Sequence, residues 1–193
     1  MTSYHLRGAS PAKTRADAVV VGAWRNARGV TLADGAEEVG SAFGRSLRPL
    51  LSTLAFTGKS GEIARVPTRG TLSSPLLVLV GMGEKPADRA AEVLACRRAA
   101  GVAARSTANA ASVALALPAS DAGLVRNVLE GYLLGGYVFS RYQSKSPDKR
   151  AGTLTVLSPV ARRQEAVAAF EEAQVVAPAV NSVRDWVNTP AGD

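Results

Sequence analysis

Gly81-Met82-Gly83 follows an apolar run and precedes a helical stretch, where a glycine-rich loop can aim backbone amides at a phosphate. A full dinucleotide fingerprint needs a third glycine three positions further on; Pro86 stands there, and no Walker sequence occurs. The segment reads as a structural turn, with a phosphate site as the lesser alternative. Cys96 is the single cysteine, beside Arg97 and Arg98, whose charge could favour a thiolate. Adjacent helical residues point in different directions, however, and the one histidine, His5, sits in a polar N-terminal segment. A buried thiol is therefore preferred over a nucleophile. Glu37-Glu38 and Glu171-Glu172 are adjacent pairs that diverge on helices, so they read as solvated faces rather than metal ligands. One cysteine also excludes an internal disulfide framework and a cysteine zinc site. Arg141, Lys145, Lys149 and Arg150 surround Ser144-Lys145-Ser146-Pro147, just after Tyr137, Phe139 and Tyr142. Basic residues interleaved with aromatics suit nucleic acid, but aromatics at a helix end usually pack, and a solvated loop is the preferred reading.

The elements that must position these residues follow from hydrophobic pattern. Asp17 to Gly22 is a β-branched run read as a buried strand, followed by turns through Asp34-Gly35. A helix is expected from about Glu37 to Ala55, with Val39, Phe43, Leu47, Leu50, Leu51 and Leu54 on one face and Pro49 ending or kinking it. After a Gly58–Gly61 turn, Glu62 to Pro67 alternates as a strand, and Leu76 to Val80 is apolar enough for burial on both faces. Asp88 to Arg105 is an Ala-rich helix, acidic at its start and basic at its end. Ser112 to Leu117 is a strand, and Ser120 can cap the helix that follows, with Asp121 in its first turn. That helix carries Val125, Val128, Leu129, Tyr132 and Leu133 on one stripe. Gly131, Gly135 and Gly136 cost it about 1 kcal/mol each relative to Ala, which implies close approach of another backbone. A strand from Gly152 to Leu157 precedes helix from Arg162, which Pro178 divides in two.

The order β-α-β-β-α-β-α-β-α predicts a three-layer α/β fold, a mostly parallel sheet with helices on both faces. The direction of the strand pair within residues 62–80 stays open. The 193 residues divide into a flexible segment at 1–16, an α/β domain at 17–160 and linker helices at 161–193. Residues 1–150 carry 20 Lys and Arg against 11 Asp and Glu, while 151–193 carry 3 against 5. A basic body attracts nucleic acid electrostatically, so a weak DNA-binding module is one alternative and a nucleotide-binding module another. With no h-region at the start and no long apolar run, no membrane role is expected and a cytoplasmic location is.

Two stretches carry a resemblance. Glu130-Gly131-Tyr132-Leu133-Leu134-Gly135-Gly136-Tyr137-Val138-Phe139-Ser140-Arg141-Tyr142-Gln143-Ser144 resembles the leucyl (cytosol) aminopeptidases, where a glycine-bearing helix runs into an aromatic–Arg-Tyr–Lys/Gln-Ser turn. Val183-Arg184-Asp185-Trp186-Val187-Asn188-Thr189-Pro190-Ala191-Gly192-Asp193 is similar to that family's entry into its catalytic domain, departing from it at Ala191-Gly192 (usually Pro-Asn) and at Trp186 (commonly Leu). Val78 to Gly83 fits between them. The resemblance implies a macro-like N-terminal domain of a homo-hexameric exopeptidase acting on peptides. It also implies two divalent metals, zinc or manganese, in a catalytic domain that follows; some members bind DNA. The family's Asn-Thr-Asp-Ala-Glu-Gly-Arg loop is absent, so no catalytic, cofactor-binding or metal residue is carried over.

Overall fold

Valines and leucines that leave no polar face build the centre of the sheet. In the computed structural model, which describes residues 2–142 and 151–190, β2 (Ala18–Asn26) and β5 (Leu76–Glu84) pair in parallel at the middle of a seven-stranded sheet. Val20, Val78 and Val80 face one hydrophobic cluster, while Val19, Val21, Leu77 and Leu79 face another. Each such side chain, fully withdrawn from water, stabilises the fold by roughly 1.5–3 kcal/mol.

The strand order is β1-β7-β6-β2-β5-β4. Here β1 is Ser3–Arg7, β4 Ile63–Pro67, β6 Ser112–Ala116 and β7 Thr153–Leu157. The run from β1 to β5 is parallel, and β4 is an antiparallel edge, which settles the direction of the 62–80 pair. Helices cover both faces, as the alternation of strands and helices predicts. On one face lie α3 (Arg89–Ser106), α4 (Ala122–Gly135) and α5 (Gln164–Asn188); on the other, α1 (Glu37–Phe43) and α2 (Leu47–Thr53).

Several boundaries differ from the sequence reading. The segment 1–16 is not a loose tail: Ser3–Arg7 is a strand in register with Thr153–Leu157, and Tyr4 and Leu6 pack on the core. Gly29–Leu32 forms β3, an antiparallel hairpin partner of β2. The expected single helix over 37–55 is broken at Gly44, whose φ of 54° and ψ of −134° leave the helical region, and not at Pro49. Pro49 is the third residue of α2, where its missing amide has no intrahelical acceptor to lose. Pro178 fails to divide α5, which runs unbroken from Gln164 to Asn188. The proline lies on the exposed side, where water can satisfy the carbonyl it leaves free. Asp121, rather than Ser120, caps α4.

Candidate functional site

Open α/β sheets hold ligands beyond the carboxyl ends of their parallel strands, at the point where strand order reverses. In this chain that place is bounded by the end of β5, the α3 and α4 N-termini and the loop carrying Asp34 and Gly35. Gly81-Met82-Gly83 does not turn there. It continues β5 to Glu84, a correction to the sequence reading. Its amides are also spent: Gly81 N–H donates to the Glu62 carbonyl at 2.8 Å and Gly83 N–H to the Gly58 carbonyl at 2.9 Å. Glycine is required at 81 because a Cβ would stand 2.8 Å from the Gly58 carbonyl carbon. The second glycine serves the backbone, with φ of +82°. These glycines thus admit the 58–62 loop against the sheet and leave no cradle for a phosphate.

Both helix N-termini are occupied by carboxylates of the chain itself. Asp88 accepts from Ala91 N–H and Asp121 from Leu124 N–H, each at 2.9 Å. Arg89 is bound by Glu92 at 2.7 Å and by Asp121. A phosphate would meet negative charge where it needs donors, so the geometry speaks against the nucleotide alternative.

Cys96 lies on α3 with no exposed surface. Burial first, and the Glu92 charge next, push its thiol up to about 12. A neutral, inaccessible sulfur is no nucleophile at neutral pH. His5 is on β1 opposite Thr155 and belongs to neither Cys96's helix nor its neighbours. Among the described residues no three His, Cys, Asp or Glu side chains gather into a group able to hold a metal ion. Of the basic–aromatic cluster, Ser144, Lys145, Ser146, Pro147, Lys149 and Arg150 lie outside the described residues, as do Gln143, Ala191, Gly192 and Asp193. Within them, Phe139 and Tyr142 pack edge to face with centroids 5.7 Å apart.

What the fold has built with care is the seam joining α3, α4 and α5. A Cβ on Gly131 would stand 3.0 Å from the Arg97 Cα, and one on Gly135 would stand 2.8 Å from the Gly101 carbonyl carbon. Of the three glycines expected to meet a neighbouring backbone, these two do, and the partner is α3; a Cβ on Gly136 would instead stand 3.3 Å from the Tyr132 oxygen of its own segment and 3.5 Å from the Ala104 Cβ. Glu130, 3 % exposed, is held by Arg126 at 2.7 Å and Arg97 at 3.3 Å, while Arg126 also reaches Glu172 on α5 at 2.8 Å. Glu130 thus ties α4 to α3 and, through Arg126, shares a network that reaches Glu172 on α5, a role invisible in the sequence except for the Arg126–Glu130 spacing.

At the far end, Tyr137 is a hub. Its hydroxyl donates to Asp185 at 2.7 Å and accepts from Asn188 at 3.3 Å, and the Arg184 guanidinium lies 3.9 Å from its ring centroid. Arg184 also donates to the Leu134 carbonyl at 3.0 Å. The two stretches that carry the family resemblance, around 130–142 and 183–190, are thus one clasp in space. Its neighbouring pocket of about 200 Å³, lined by Tyr4, Tyr137, Pro178 and Asp185 among others, is too small for more than a fragment-sized guest.

The sequence profile described as "Cytosol aminopeptidase family, N-terminal domain" matches residues 20–146. A probable cytosol aminopeptidase of Streptomyces griseus is 36 % identical over 208 residues, covering all of this chain and 40 % of the relative. One of Micrococcus luteus is 37 % identical over 180 residues, covering 90 % of this chain and 35 % of the relative. Among solved structures, a tomato leucine aminopeptidase mutant superposes with a TM-score of 0.74 at 20 % identity, over 99 % of this chain and 39 % of that one. The bottromycin maturation enzyme BotP in complex with Mn superposes with a TM-score of 0.64 at 23 % identity, over 92 % and 33 %. The chain spans about two fifths of the length of such relatives, 40 % in the first case.

Proposed function

The chain belongs to the cytosol aminopeptidase family as its N-terminal domain, and on that premise we propose that it is the non-catalytic part of a longer peptide hydrolase. The observation that carries the reading is the match itself, end to end across this chain yet over only 40 % of the Streptomyces griseus relative. In this reading the remaining part of the protein removes N-terminal amino acids from peptides, using two divalent metals, zinc or manganese, to generate the attacking hydroxide. The domain described here contributes assembly of a homo-hexamer, control of access to the catalytic domain, or both. Its setting is the cytoplasm; among the described residues no helix is long and apolar enough to cross a membrane.

A DNA-binding contribution has one observation in its favour. Arg25, Arg28, Arg45 and Arg48 are exposed, and no carboxylate pairs with them among the described residues. Such a surface supports phosphate contacts without base readout.

The 193-residue chain and the longer protein that contains it are to be purified and assayed side by side on a leucyl-amide substrate with added manganese. The short chain is expected to fold, to bind no stoichiometric zinc or manganese and to release no product. The longer protein is expected to bind metal and turn over. Metal-dependent turnover by the short chain at a comparable rate would overturn the proposal.

A further inference from the structure

Between the β2–β3 hairpin and α2 lies a cleft of about 410 Å³, a size that suits a small ligand. Its floor is made by Leu47, Leu51 and Phe56, all buried and fixed in the hydrophobic cluster under α1 and α2. Gly29 and Gly44 also line it, and a Cβ on either would meet nothing within 4 Å, so the mouth is unobstructed. The charged residues of the lining are two arginines, Arg28 and Arg48, and no carboxylate joins them. Arg48 donates to the Arg28 carbonyl at 3.4 Å, joining α2 to the tip of the hairpin. Neither guanidinium has an acidic partner among the described residues. An apolar floor beside two unneutralised cations suits a guest with an apolar body and an anionic end.

We propose that this cleft binds the C-terminal residue of a peptide, its apolar side chain on the Leu47, Leu51 and Phe56 floor and its carboxylate against Arg28 and Arg48. The lining selects this occupant over others that carry negative charge. A free amino acid would bring an ammonium group next to two cations with no carboxylate to receive it, whereas in a peptide that nitrogen is a neutral amide. A nucleic-acid phosphate would satisfy the arginines but has no apolar body to cover the floor. The cleft is open to water along one side, which a peptide's polar backbone tolerates and a long acyl chain does not. The inference stands on these residues and does not need the peptidase reading.

The test is a saturation-transfer NMR titration of N-acetyl-alanyl-leucine, and of the same peptide as its C-terminal amide, against the 193-residue chain and the longer protein. The acid should bind with a dissociation constant of about 0.1–1 mM, as an open cleft and a small ligand allow. The amide, which keeps the side chain and loses the charge, should bind about tenfold more weakly or worse. Arg28→Gln and Arg48→Gln should each weaken the acid by about three- to tenfold and leave the amide unchanged. Arg28→Gln is the cleaner of the two, because the Arg48 side chain also ties α2 to the hairpin. Arg65→Gln, exposed on β4, removes the same charge elsewhere and should change nothing. Equal binding of acid and amide, or an Arg65→Gln chain weakened as much as Arg28→Gln, would overturn the inference. Free leucine or octanoate binding more tightly than the peptide would assign the cleft to another ligand and overturn it too. Arginine variants that lose duplex DNA but hold the peptide unchanged would make the pair a phosphate contact instead. Binding to the short chain that vanishes in the longer protein would show the cleft to be covered there, against the proposal.

Discussion

Replacing Gly135 with alanine adds a single methyl group where α4 meets α3, and the geometry fixes what it must cost. The new Cβ would stand 2.7 Å from the Gly101 oxygen and 2.8 Å from its carbonyl carbon. Ordinary contacts between carbons are about 3.5–4.0 Å, so the helices must part by roughly 1 Å or bend. The obstacle is backbone, which has no rotamer to yield, and parting the seam loosens Tyr132, Leu129 and Ala104 together. Overpacking of this kind costs about 1–3 kcal/mol, and an unyielding obstacle belongs in the upper part of that range. Alanine returns at most about 1 kcal/mol in helix propensity, and less at the last residue of a helix. The net loss is about 1–2 kcal/mol, or about 2–8 °C in melting temperature for a chain of this size. Gly135→Leu lies further in the same direction, at about 3 kcal/mol. Gly101→Ala is the internal control, since its Cβ would have 3.3 Å to the Gly131 oxygen and 3.5 Å to the Gly135 Cα, and its effect should be near zero. Thermal melts followed by far-ultraviolet circular dichroism measure all three. A Gly135→Ala chain that melts at or above the parent temperature, or a Gly101→Ala chain that loses as much, would refute the steric account.

Three further outcomes are expected. The folded Cys96 thiol stays protonated up to about 12 while the unfolded one ionises near its ordinary 9.0, so the unfolded state sheds its proton first and stability falls as pH rises above about 9, by up to ~1.4 kcal/mol per pH unit. Melting temperatures from pH 8 to 11 should therefore decline less steeply in Cys96→Ala than in the parent, and parallel declines would count against the buried thiol. Glu130→Ala removes the carboxylate that ties α4 to α3; because Arg97 and Arg126 reach water, the loss is about 1–2 kcal/mol rather than the larger cost of a fully buried pair, and an unchanged denaturant midpoint would show the link to be idle. Binding of the chain to duplex DNA should be weak, non-specific and lost steeply with salt, a result contradicted by nanomolar, sequence-selective binding that survives moderate salt in a mobility-shift assay.

The sheet centre and helices α3 and α4 were legible because Ala18–Val21 and Leu76–Val80 are unbroken apolar runs, Asp88–Arg105 is Ala-rich with charges matched to its ends, and Val125–Tyr132 carries helical periodicity, whereas α5 was expected in two pieces. The missed elements had weaker or displaced signals. In β1 the alternation of Tyr4 and Leu6 is present, but Ser3, His5 and Arg7 make it look like a polar tail. In the β2–β3 hairpin the loop residues are Ala27 and Arg28, and the glycine, with φ of +120°, stands one position later at Gly29. The pair Gly81 and Gly83 looked like a turn because local sequence cannot reveal that the 58–62 loop comes to lie against it. The Gly131 and Gly135 contact could be foreseen from its energetic cost, though not its partner on α3. The Tyr137 clasp lay hidden because its two halves are separated by β7 and most of α5, and only the fold brings them together.

The parallel pairing of Ser3–Arg7 with Thr153–Leu157 places a strand beside a partner that lies about 150 residues later in the chain. During synthesis on the ribosome, β1 emerges long before its template exists and waits, while β2, β5 and β6 can already assemble. Its docking is a late, long-range closure, and it seals an edge of β7 that would otherwise offer free amides and carbonyls to another chain. An affinity tag placed before Met1 thus hangs from the rim of the sheet, and trimming the chain back to Gly8 would bare that rim.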